Sequence, residues 1–393
     1  MLIIIHGNIK TMEGRDYEDG FLQIKDGKIA AVGRMEDCDP ALLRDRKRVQ
    51  VIDAGGNLVM PGIIEAHCHM GITEEKKGME GDDCNENVNP VTPWLRAVDA
   101  INPMDAAFND AIKAGITSAM IGPGSANVVG GQFAFVKTHG RCIDDMIVKA
   151  PAAMKVAFGE NPKVNYAGQN MSPATRMAIA GILREELFKA RTYQQRKQKE
   201  PDMSPDFRYE CWLPVLTGEI PLKAHAHRAD DILTAVRIAG EFGLGMTLDH
   251  CSEGHLIVEE LLEAGFPAIV GPDMASRNKI EVKNMAFKTA GILSRHGILT
   301  AITTDHPVSM IQFLPICAGL AVKEGMPPEE GLRAITINAA KICGVDSRVG
   351  SLAAGKDADV VIFDGNPMEV FTSALCTIIN GKIIYYDEES GIL

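Results

Sequence analysis

The sequence predicts a (β/α)8 barrel carrying a small β-sandwich. Three observations predict it: strand-like segments crowd both ends of the chain, short apolar strands alternate with amphipathic helices between them, and those strands number eight. A chain of 393 residues, 46% hydrophobic, has ample material for one large core with a small companion.

The elements follow in chain order. Residues 2–5 are an apolar run too short for a signal core or a membrane span, and read as a buried strand. Residues 21–32 alternate around Asp26-Gly27, a hairpin dipeptide, and residues 49–53 form another strand closed by Gly55-Gly56. Near the other end, residues 359–363 and 376–379 are strand-like, and Asn380-Gly381 is a second hairpin signal. The composite sandwich is therefore assigned to residues 1–60 and 346–393. Residues 61–345 hold the barrel. Its predicted strands are 63–67, 117–121, 133–137, 153–158, 222–227, 246–250, 268–271 and 300–304, with helices at 173–196, 229–242, 255–264 and 282–296. A doubly wound sheet would also alternate, but it usually opens with a glycine-rich phosphate turn after its first strand, and none is present. The segment 74–93 is a long acidic loop, either a solvated excursion or a lid over the first strand.

Lys and Arg total 40 against 52 Asp and Glu, a net charge of −12, with no basic block or aromatic-basic stripe. That excludes nucleic acid as the expected partner. Nine cysteines without a CxxC pair suit reduced thiols, and the expected location is cytoplasmic. A homo-oligomer is expected only because symmetric dimers are common.

Barrel chemistry belongs where strands end. His67 and His69 close the first predicted strand, and their i, i+2 spacing puts both imidazoles on one face. Lys155 and Glu160 lie in or just after the fourth, His225 and His227 end the fifth, His250 ends the sixth, and Asp305 follows the eighth. All are ligand, acid or base types, and so many on one rim is hard to explain as core packing. Imidazoles and carboxylates suit Zn²⁺, or Mn²⁺, Fe²⁺ or Ni²⁺. Such an ion acidifies a water and polarises a carbonyl, and Asp305 can carry the proton to a leaving amine. The parts make a metal-dependent hydrolase of a small-molecule substrate.

Pro61-Gly62-Ile63-Ile64-Glu65-Ala66-His67-Cys68-His69, Asp249-His250, Thr303-Thr304-Asp305-His306 and the tail Gly350-Ser351-Leu352-Ala353-Ala354-Gly355-Lys356-Asp357-Ala358-Asp359 resemble the metal-dependent amidohydrolase superfamily. The branch is similar to imidazolonepropionases and Xaa-Pro dipeptidases. The resemblance implies that His67 and His69 bind the more buried of one or two metals, that His225 and His250 bind the second or the same one, and that Asp305 is ligand and proton shuttle. It also implies a fourth-strand ligand, either a carboxylated Lys155 bridging two metals or Glu160. Strand alternation puts those two on opposite faces, so one of them serves, with Lys155 favoured. Deaminases of the superfamily usually carry a glutamate three residues after the fifth-strand histidine, where this chain has Arg228. Imidazolonepropionases tend to carry Ala and an acidic residue after it, where this chain has Ala226-His227. Both features favour a plain C–N hydrolase of an amide, cyclic amide or dipeptide-like bond over imidazolone ring opening or deamination. A metal-free scaffold protein is the non-enzymatic alternative. Residue 229 is Ala, so the HxHxDH motif of metallo-β-lactamase folds is incomplete. Candidate substrate contacts are Gln132, Tyr166, His227, Arg228, Arg277 and His306, an arginine favouring a substrate carboxylate.

Overall fold

The computed structural model describes residues 1–44, 47–75 and 78–392. Its strands fall into two sheets. The first takes β1 (Leu2–Ile9), β2 (Tyr17–Lys25), β3 (Lys28–Arg34), β4 (Gln50–Asp53) and β5 (Leu58–Pro61) from one end of the chain. From the other end it takes β14 (Val360–Phe363), β15 (Ala374–Ile379) and β16 (Lys382–Tyr386). Its order is β16-β15-β14-β5-β1-β2-β3, with β4 branching off β1, so β5 and β14 join the two ends in antiparallel register. The two hairpin dipeptides form the turns: Asp26 and Gly27 have φ of 52° and 77°, Asn380 and Gly381 of 50° and 73°. Two successive positive φ values match the right-handed twist of the flanking strands.

The second sheet is a nearly closed eight-stranded barrel. It runs β6 (Ile63–Cys68), β7 (Ile116–Ile121), β8 (Val129–Lys137), β9 (Ile147–Ala157), β10 (Leu222–Ala226), β11 (Met246–His250), β12 (Ala268–Val270) and β13 (Thr300–Ile302), in sequence order. All eight predicted strands are here. Most are wholly buried, which is why they read as continuous apolar runs without alternation.

One strand departs from strict βα alternation. β8 runs antiparallel to both β7 and β9. Residues 122–128 and 138–146 are too few for the crossover that a parallel connection needs, so the chain doubles back. β8 therefore brings its beginning, Val129 to Gln132, toward the segment 91–96. Gly131, at φ 130°, permits that approach, since a Cβ there would stand 2.5 Å from the Leu95 carbonyl oxygen.

The helices are close to expectation where capping is local. Ala229–Phe242 matches the prediction and stops at Gly243 in the left-handed region. Arg176–Lys199 starts three residues late, because Thr175 caps it by accepting from Ala178 N. The predicted 255–264 and 282–296 shrink to Val258–Ala264 and Lys288–Arg295. The residues lost at their starts form 3-10 turns or loops. No helix among the described residues is long and apolar enough to cross a membrane. All nine cysteines are free thiols.

The tail motif has a structural use. Lys137, at the end of β8 and 2% exposed, contacts Asp357 at 3.0 Å and donates to Asp359. Asp357 also accepts from Lys28 and Arg348, so it locks the sheet to the barrel. Burial alone would push the Asp357 carboxyl up, but Lys137, Lys28 and Arg348 outweigh it and hold it down at about 2. Lys137→Met should therefore cost about 3–5 kcal/mol, read as a lowered urea midpoint, because it strands the buried Asp359 carboxylate and takes one of three cations from Asp357. A depressed carboxyl stabilises the fold above its unfolded value of 3.8. That contribution should disappear as pH falls from there toward about 2, and Lys137→Met should flatten this acid limb.

Candidate metal centre

Five strand ends bring ligand-type side chains together at one cavity of about 480 Å³, lined among others by His69, His225, His227 and Asp305. His67 lies near the end of β6 with His69 just beyond, Lys155 is on β9, His225 on β10 with His227 following, and His250 ends β11. Asp305 stands three residues past β13. Asp305 Oδ1 lies 3.4 Å from His67 Nε2 and 3.2 Å from His69 Nε2. Ligand-type atoms of His67, His250 and Asp305 all fall within 4.8 Å of one another, and so do those of His225, His227 and His250. His250 belongs to both groups. Lys155 Nζ is 3.3 Å from His67 Nε2, among the same side chains.

The imidazoles are aimed by their outer nitrogens. His69 Nδ1 donates to the Gly122 carbonyl at 2.7 Å and His250 Nδ1 to the Gly271 carbonyl at 2.8 Å, turning each Nε2 inward. His227 Nδ1 pairs with Ser252 Oγ at 2.8 Å. His67 Nδ1 faces Asp249 Oδ2 at 3.0 Å, an imidazole–carboxylate contact. Asp249 in turn accepts from Lys223 Nζ at 3.1 Å and Thr247 Oγ1 at 3.0 Å, all fully buried.

Successive residues Asp249 and His250 both reach these interior groups, which regular alternation forbids. The break comes at His250, with φ of 72°, and Asp305 is held likewise at 51°. Positive φ at such residues costs on the order of 1–3 kcal/mol each and persists only where surroundings impose it.

Burial sets the protonation states. It holds the His225 and His250 imidazoles well below their ordinary range and His227 at about 3, so all three stay neutral with free lone pairs. Burial would lower His69 too, but the negative charge of a Cys84 thiolate and the Asp305 carboxylate outweigh it and raise His69 to about 10. Burial would raise Asp305, yet His250, His67 and His69 keep it ionised, well below the usual carboxylate range. Lys155, buried against partial compensation from Asp249 and Asp305, drops to about 8.

Of the other candidates, His227 alone joins a ligand group. Glu160 begins a helix, and its carboxylate reaches the Glu281 amide at 3.4 Å while its own N–H donates to Glu281 Oε2. It belongs to neither ligand group. Gln132 donates to the Pro93 carbonyl, and the Tyr166 hydroxyl donates to Asn127 Oδ1, both holding loops together. Arg228 is spent on Asp230, and Arg277 on the Met285 carbonyl, so neither arginine lines the cavity. His306 is buried, with Nδ1 accepting from Ile311 N. His227, expected as a substrate contact, instead stacks on His250 with ring centroids 4.6 Å apart, inside the second ligand group.

Several residues here went unassigned in the sequence. Asp249 and Lys223 support the cluster, and Cys84, Asn161 and Lys279 line the cavity, with buried Glu281 behind them 3.8 Å from His225 Nε2. Only Asp249 carried a signal, as the acidic neighbour of a ligand-type histidine. Asp82, Cys84 and Asn85 place the loop 74–93 in the cavity wall, residues 76 and 77 lying outside the described set.

The residues fit a divalent cation. Asp305 Oδ1 and His225 Nδ1 are buried and lack a hydrogen-bond partner among the described residues, and the donor set of neutral imidazoles with a carboxylate is the zinc type. Asp249→Asn should weaken metal binding about 10- to 100-fold in a chelator competition titration, because His67 loses the charge that orients it.

Comparison with known proteins agrees with this geometry. The model of the amidohydrolase family matches residues 217–384. The crystal structure of an amidohydrolase from Thermotoga maritima MSB8 superposes with a TM-score of 0.93 at 37% identity, covering 98% of this chain and 100% of that one. Amidohydrolase tasK of Hapsidospora irregularis is 28% identical over 86% of this chain, which spans only 37% of that protein's length. Imidazolonepropionase of Alkaliphilus metalliredigens is 24% identical, over 92% of this chain and 89% of its own.

Proposed function

The chain belongs to the amidohydrolase family, whose members are hydrolases acting on C–N bonds, and we propose that it opens an amide, cyclic amide or dipeptide-like bond in a small molecule. One observation carries the proposal: an ionised Asp305 whose Oδ1 stands 3.4 Å from His67 Nε2 and 3.2 Å from His69 Nε2, with His250 beside them, at the cavity floor. His67, His69 and Asp305 would hold one divalent ion, most simply Zn²⁺. His225 and His250 would hold a second, with His227 placed to complete that set. Lys155 lies against the first group, and its lowered pKa leaves an appreciable fraction as the neutral amine that carboxylation requires. When bound, such an ion acidifies water and polarises a substrate carbonyl.

The chain's own groups supply the rest. Asp305, held ionised by its histidine neighbours, takes a proton from the attacking water and returns it to the leaving nitrogen. Neutral His225, His227 and His250 keep their lone pairs free for an ion. The wall formed by Cys84, Asn85 and Ser125 limits the substrate to a small molecule. Deamination is the weaker reading. Arg228 stands where superfamily deaminases usually carry a glutamate, and its guanidinium is turned to Asp230 outside the cavity.

Asp305→Asn should cut kcat about 10²- to 10⁴-fold on any amide the wild type hydrolyses, with an unchanged circular dichroism spectrum. Wild-type turnover in that variant would refute Asp305 as the proton carrier.

A further inference from the structure

The cavity presents a cation that the metal-ligand chemistry leaves unused. Lys279, on the loop after β12, is the one lysine or arginine among the described residues lining the space that holds His69, His225 and Asp305. Its side chain is 38% exposed. It is also pinned in place: Nζ donates to Asn161 Oδ1 at 2.5 Å. Asn161 Nδ2 donates to Ser125 Oγ at 2.8 Å and lies 3.5 Å from His225 Nε2. The ammonium is therefore one asparagine side chain away from a ligand-type histidine. Immobilising a lysine forfeits rotamer entropy, so a fixed lysine at a cavity wall needs a reason.

Charge balance with Glu281 is the competing reason. Glu281 Oε1 is 3.6 Å from Lys279 Nζ, beyond a good hydrogen bond, and has no hydrogen-bond partner among the described residues. A lysine serving only as counter-ion would close on that oxygen. This one leans to Asn161 and keeps donor capacity for the cavity. The arginines that sequence alone suggests for a substrate carboxylate, Arg228 and Arg277, are both engaged elsewhere.

We infer that Lys279, steadied by Asn161, is an anion subsite that holds a carboxylate of the substrate beside the scissile bond. This inference rests on the hydrolase proposal and narrows it to N-acyl amino acids and dipeptides, molecules that suit a cavity of about 480 Å³. Asp82 and Asp305 are the carboxylates lining the same space, and Asp305 is turned to His67 and His69.

The test compares wild type, Lys279→Met and Lys279→Arg as metal-loaded full-length protein, on a panel of N-acyl amino acids and their matched carboxamides. Wild type should prefer the free carboxylate by about 10- to 100-fold in kcat/KM, expressed mainly in KM. Lys279→Met should collapse that ratio toward one, and Lys279→Arg should keep part of it. Equal turnover of both members by wild type, or an unchanged ratio in Lys279→Met, would overturn the subsite. A purely structural lysine would lower stability without moving the ratio. If no panel member is hydrolysed, the narrowing to these substrates fails while the broader hydrolase proposal stands, and calorimetry with N-acetylglycine and N-acetylglycinamide then decides the subsite. Tighter binding of the carboxylate, lost in Lys279→Met, upholds it; equal or absent binding overturns it.

Discussion

The barrel is closed by one buried carboxylate, and the cluster at its mouth depends on that closure. Glu65, fully buried on β6, accepts from the backbone N–H and hydroxyl of Thr304 at 2.9 and 2.6 Å and from His67 N at 3.0 Å. Thr303 Oγ1 donates to the His67 carbonyl, and His69 N to the His306 carbonyl. Side chains and strand-end peptides thus replace a regular ladder between β13 and β6. Without them the first and last strands would part, taking His67 and His69 away from Asp305. Burial pushes the Glu65 carboxyl up, and the bonds from Thr304, Thr303 and His67 offset part of that cost. The fold tolerates an expensive group because it fixes two ends of the sheet at once.

Below the mouth, the same logic governs Asp249. Two lysines, Lys155 and Lys223, sit side by side in register on β9 and β10, both buried. Asp249 on β11 pairs with Lys223, lies 3.9 Å from Lys155 and turns its other oxygen to His67. Buried charge is stable only when paired and hydrogen-bonded, and removing one partner strands the others. Orientation of the imidazoles, ionisation of Asp305 and the positive φ values at His250 and Asp305 are consequences of this packed polar floor. A site held by such a network needs little rearrangement to bind a cation.

Much of this was legible in the sequence. Buried strands are apolar runs, so all eight barrel strands could be found, and their last residues named the histidines and Asp305 that converge. Asp26-Gly27 and Asn380-Gly381 announced their turns because two positive φ values need those residue types. The direction of β8 was not legible, since an apolar run reads the same both ways and only the short connections betray it. Alternation also failed at Asp249 and His250, where one positive φ turns both inward. Asn161, on the helix after β9, is far in sequence from Lys279 and Glu281 beyond β12, and nothing in their local pattern says that they meet. Arg228 and Arg277 misled for the complementary reason: proximity in sequence to a strand end does not decide which acceptor a long side chain finds.

The central claim is that this floor is a metal centre. Elemental analysis of untagged, dialysed protein tests it most directly. The account predicts about two zinc-type ions per chain, the number that two histidine-rich groups sharing His250 would hold. No bound metal, even after divalent ions are offered back, would contradict it.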